Sequence, residues 1–118
     1  ASIMPENRAL NYKLAEVYIR QNRPELAQPV LNRFLKNNPR DVNAWRLMQQ
    51  AASLDKKSPM HTINVLRYRA EVQFWSGFEE EAIKSLLHAQ RLAKDNESMS
   101  ATIKTRLTQM QKDRQFRA

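Results

Sequence analysis

The chain contains no cysteine, a single glycine and no apolar run long enough to cross a bilayer. Without cysteine there are no disulfides and no thiolate chemistry, whether redox or zinc ligation, and thiol usage says nothing about compartment. One glycine is too few for a glycine-rich phosphate loop, and no serine sits in a Gly-x-Ser-x-Gly elbow. The two histidines, His61 and His88, lack the His-Glu-x-x-His spacing that puts two imidazoles on one helix face around zinc. They read as surface or packing residues. These residues hold no active site, and no cofactor or metal ligand set is expected within them. Acidic residues are also scarce relative to basic ones, 12 against 20, and the formal net charge of +8 favours acidic partners.

Low punctuation and an abundance of Leu, Ala, Arg, Lys, Gln and Glu point to an all-α chain, and 118 residues make one domain. Leu10, Leu14, Val17 and Tyr18 recur at helical spacing, and Pro24 begins a second helix at a position where its missing N–H costs little. That helix carries Leu26, Val30, Leu31, Phe34 and Leu35; Pro29 either bends it or shifts its start, and "NNPRD" ends it. Asp41 caps a third helix with Val42, Trp45, Leu47, Met48 and Ala52 on its apolar face. A fourth runs from about Pro59 to Trp75 and closes at Gly77. The run Glu79 to Glu81 opens a fifth, where carboxylates meet the positive end of the helix dipole, with a face of Ala82, Ile83, Leu86, Leu87 and Ala89. The sixth places Met99, Ile103, Leu107 and Met110 on one side, and Lys104, Arg106, Lys112 and Arg114 largely elsewhere, as a terminal cap would.

Ala15 and Ala27 stand twelve residues apart in "LAEVYIRQNRPELA". Together with Leu14, Tyr18, Leu31, Phe34 and Pro39 they match the small-and-large pattern of a tetratricopeptide repeat, in which two antiparallel helices cross most closely at the alanines. Ala70 and Ala82 repeat the spacing around "GFEEEAI". Between them, Trp45 and its equivalent Leu66 are too close for a full repeat of about 34 residues. The expected architecture is a tetratricopeptide-like α-α superhelix of about six helices forming one domain over 1–118. Repeat 1 covers 9–40, an irregular repeat 2 covers 41–75, repeat 3 covers 60–95 and shares a helix with repeat 2, and a capping helix covers 97–115.

The order "LNYKLAEVYIRQNRPELAQPVLNRFLKNNPRDVNAWRLM", a shortened second unit, "RAEVQFWSGFEEEAIKSLLHAQRLAK" and a final basic helix resembles the C-terminal repeat region of the BepA (YfgC) type of bacterial periplasmic zinc metallopeptidase. The resemblance implies a periplasmic location and a role in outer-membrane protein assembly and quality control. It also implies an N-terminal peptidase domain that carries the zinc and is absent from these residues, so that the chain is a C-terminal piece of a longer protein. Partners would then be outer-membrane assembly machinery, its clients and the peptidase domain. The uncovered solenoid end predicts self-association of the isolated piece.

In repeats of this class the first helix of each unit lines a groove whose outward positions contact ligand. Those positions are Tyr12, Lys13, Glu16, Ile19 and Arg20 in unit one, Asn43, Arg46 and Gln50 in unit two, and Arg67, Glu71, Phe74 and Trp75 in unit three. Arg46 and Arg67 stand out, since a guanidinium offers a planar two-point contact to a carboxylate. Phe74 and Trp75 fit either ligand contact or burial against the next helix. Glu16 stands where a terminal-carboxylate clamp of this fold needs asparagine, which argues against that mode of binding. The alternative reading is a nucleic-acid-binding helical repeat, supported by net charge and by "LRYRAEVQFW" and "KTRLTQMQKDRQFR". Glu16, Glu71 and the "EEE" run interrupt its basic track.

Overall fold

Ala15, Ala27, Ala70 and Ala82 are all fully buried, and the fold is built around the two close helix crossings they permit. The computed structural model describes residues 8–117, with side chains over 9–113. Among the described residues there are six helices and no strand: α1 (Arg8–Arg20), α2 (Pro24–Asn37), α3 (Val42–Leu54), α4 (His61–Trp75), α5 (Glu79–Leu92) and α6 (Glu97–Arg117). Each packs on its neighbours in chain order, and α3 also touches α1, so α4 lies between α3 and α5.

The turns of the two alanine-crossed hairpins are built alike. After α1, Asn22 adopts φ 58°, its N–H bonds the carbonyl of Ile19, and the N–H of Arg23 bonds that of Tyr18. After α4, Gly77 adopts φ 95°, its N–H bonds the carbonyl of Phe74, and the N–H of Phe78 bonds that of Gln73. Both are Schellman caps, in which a left-handed residue redirects the chain and satisfies two terminal carbonyls. Asparagine tolerates this conformation and glycine adopts it without steric cost.

Between the hairpins, Asp41 caps α3 by accepting a hydrogen bond from the N–H of Ala44. Its carboxylate also accepts from the Tyr12 hydroxyl at 2.5 Å, which fastens α1 to the start of α3. His61 opens α4 with Nδ1 directed at the carbonyls of Ala52 and Asp55, 3.0 and 3.1 Å away. Its imidazole therefore ties the α3–α4 loop together. Pro29 lies inside α2, which continues through it.

Two cores result. Val30, Leu31, Phe34 and Met48 fill the first, among α1, α2 and α3. Ile63, Phe74, Leu86, Ile103 and Met110 fill the second, among α4, α5 and α6. The expected apolar face of α1 is only partly used: Leu10 is 52% exposed, and Leu14, Val17 and Tyr18 are half-buried. The reason is position, since α1 is the outer helix of the described stack and is covered only by α2 and α3. Leu87, also expected in the core, is exposed because the buried stripe of α5 is the narrower row Ala82, Ile83, Leu86 and Ala89.

Candidate functional site

A cleft of about 600 Å³ opens where the α2–α3 turn, α3, α4 and α6 meet. Its lining includes Arg40 from the turn, Trp45 from α3, Arg67, Tyr68, Glu71 and Trp75 from α4, and Arg106 and Gln109 from α6. Helical spacing explains the α4 contribution, because Arg67, Glu71 and Trp75 stand four apart and Tyr68 stands three before Glu71, which gathers them on one side of the helix.

Glu71 lies at the centre of the polar network. The pair is well shielded, with the Glu71 side chain 9% exposed and that of Arg106 26%. The Glu71 carboxylate accepts from Arg106 Nε at 2.7 Å and Nη2 at 2.8 Å, a two-point contact that joins α6 to α4. It also accepts from Trp75 Nε1 at 3.2 Å. The Arg106 guanidinium carbon lies 5.7 Å from the Trp75 ring centre, and that of Arg40 lies 5.5 Å from the same ring, both within cation–π range. Arg67 lies 5.5 Å from the Tyr68 ring and donates to Asn64 Oδ1 at 3.0 Å. Tyr68 stacks on Trp45, with ring centres 6.0 Å apart and planes at 28°. Trp45 Nε1 in turn donates to the Pro39 carbonyl at 2.8 Å, which holds the turn that presents Arg40.

Three guanidinium groups thus line the cleft with one carboxylate, and that carboxylate is engaged by Arg106 and Trp75. Arg40 and Arg67 have no ion-pair partner among the described residues. The cleft is suited to holding a planar anion beside aromatic surface. Among the described residues no three His, Asp or Glu side chains come together as a metal site.

Of the expected groove residues, the cleft unites Arg67, Glu71 and Trp75. Of the two roles open to Phe74, ligand contact or burial, the structure has burial: it is 2% exposed and packs in the core, edge-on to Trp75 at 4.8 Å. Tyr12 is half-buried and bonded to Asp41, while Glu16 and Ile19 are half-buried on α1. Lys13, Arg20, Asn43, Arg46 and Gln50 are exposed, and none of them lines the cleft. Arg46 reaches only its own helix neighbour Asn43, at 3.4 Å. Sequence reasoning missed Arg40, Tyr68, Arg106 and Gln109 as site residues and used Trp45 only as a repeat marker.

The paired alanine crossings, their Schellman turns and the stacked helices define a tetratricopeptide-repeat fold. The tetratricopeptide repeat family matches residues 1–51. Over 105 residues, 88% of its length, the chain is 31% identical to the beta-barrel assembly-enhancing protease of Escherichia coli strain K12. The proteins of the same description from Shigella flexneri and Escherichia coli O157:H7 match with the same identity and coverage. The chain spans about a fifth of the length of these curated relatives. Among the described residues no helix is long and apolar enough to cross a membrane.

Proposed function

We propose that the chain is a protein-interaction module, the non-catalytic C-terminal repeat region of a zinc-dependent metallopeptidase. That protein acts in the periplasm on outer-membrane protein assembly and quality control. The tetratricopeptide fold and the similarity to the beta-barrel assembly-enhancing protease support this reading. The single observation that carries it is the cleft itself: arginine and aromatic side chains, the types enriched at protein-binding hot spots, converge from four parts of the fold on one concavity. Catalysis and zinc belong to the portion of the longer protein outside these residues. The repeat region recruits and orients partner and client proteins, and packs against the peptidase domain.

Photo-reactive amino acids placed at Arg67 and Trp75, with Lys84 on α5 as a control, test this in a cell-envelope preparation. Cross-links from the two cleft positions to outer-membrane assembly proteins or their clients are the expected result. Products from Lys84 alone, or nucleic acid captured at the cleft, would overturn it.

A further inference from the structure

The cleft's own chemistry goes further than a general interaction surface. Arg40 and Arg67 each lie over an aromatic ring, Trp75 and Tyr68 respectively. Stacking uses the face of a guanidinium and leaves its in-plane N–H donors for a second partner. The backbone turn that carries Arg40 is held by the bond from Trp45 to the Pro39 carbonyl, and the Arg67 guanidinium is held by its bond to Asn64. Pre-orientation of this kind lowers the ordering cost of binding. The third guanidinium, Arg106, is already occupied by Glu71 in a two-point contact and serves as wall rather than receptor.

We infer that the cleft recognises carboxylate side chains of an acidic, extended peptide segment of a partner protein, with Arg40 and Arg67 as the anion-binding residues and Trp45, Tyr68 and Trp75 as the apolar surface for the residues between. This rests on the protein-interaction reading above and names the ligand class of the same site. Charge complementarity selects an acidic occupant, because the lining carries two guanidinium groups beyond the one that Glu71 neutralises. Stacking of nucleobases needs open ring faces, and part of that surface is already taken: Trp45 and Tyr68 cover one face of each other and two guanidinium groups lie over Trp75. Together with the protein-interaction reading this favours peptide over nucleic acid.

The test uses three fluorescein-labelled probes read by anisotropy: a decapeptide of alternating glutamate and tyrosine, the same peptide with glutamine for glutamate, and a ten-nucleotide oligothymidine. The acidic peptide is expected to bind at least about tenfold more tightly than its glutamine counterpart, the scale of a charge-assisted hydrogen bond. Arg40→Gln and Arg67→Gln should each remove about tenfold. The variant Lys84→Gln, which lowers net charge by the same single unit at an exposed α5 position, should change little. An equal loss in that control would reduce the effect to net charge and overturn the inference, as would failure of the acidic peptide to bind at millimolar concentration. Equal binding of both peptides, abolished by Trp75→Ala, would also overturn it while leaving the cleft a protein-binding site. Binding of oligothymidine alone would remove both readings.

Discussion

The hairpins α1–α2 and α4–α5 are the same device used in two settings. Ala15, Glu16, Asn22 and Ala27 recur 55 residues later as Ala70, Glu71, Gly77 and Ala82. The alanine crossings and Schellman turns coincide, yet Glu16 is half-buried on an outer helix while Glu71 is buried and bound to Arg106. Ile19 and Phe74 differ likewise, the first partly exposed and the second in the core. Local sequence sets the geometry of a hairpin, but its neighbours decide what each position does. At α4, a helix on either side and α6 across the cleft convert a repeat surface into a site.

That comparison breaks most sharply at the glutamates. Arg106→Met strands the Glu71 carboxylate in a shielded place and should cost about 3 kcal/mol in urea unfolding. Adding Glu71→Leu should restore most of the loss, since an apolar pair is a good substitute for a buried ion pair. Glu16→Leu, at the equivalent position, should change stability by less than about 0.5 kcal/mol. Equal costs for Arg106→Met and Glu16→Leu would mean that the neighbours of α4 do not set its role.

The alanines give a smaller contrast. Ala82→Leu should cost about 2 kcal/mol, because α5 is held between α4 and α6, and Ala27→Leu about 1 kcal/mol, because the outer helix α1 has room to move away. Thermal unfolding of the two variants would read the difference. Smallest is the effect of the turns. Gly77→Ala should lose about 1 kcal/mol purely from its left-handed backbone, since an added Cβ there meets nothing within 4 Å. Asn22→Gly should gain about 0.5 kcal/mol by relieving the same strain. A loss at Asn22 would show that its side chain contributes something the Gly77 turn does without.

The features legible in the sequence were those written in short-range spacing. The alanine pairs announced the crossings, Pro24 and Gly77 the helix boundaries, and Asp41 a cap that the structure contains. Spacing also gave three cleft residues on α4, because one helix face is a local property. Arg40 and Arg106 were illegible for a physical reason. Arg40 sits in a turn, where periodicity has no meaning, and Arg106 meets Glu71 across 35 residues of chain. Arg106 flanks the apolar row Ile103, Leu107 and Met110, so on pattern alone it belonged to the solvated side. Leu10 departed from its expected burial, and the choice for Phe74 between ligand contact and burial fell to burial, because burial depends on how many helices cover a face, which spacing along one helix does not encode.

The chain has two tryptophans, and both line the cleft. Trp75 has two guanidinium groups over its ring and Trp45 is stacked on Tyr68. All indole emission from the chain therefore originates at one place, in surroundings that a bound molecule must disturb. The unlabelled protein carries a built-in optical probe, and a shift in its emission maximum on mixing with a partner reports occupancy of that cleft without any tag.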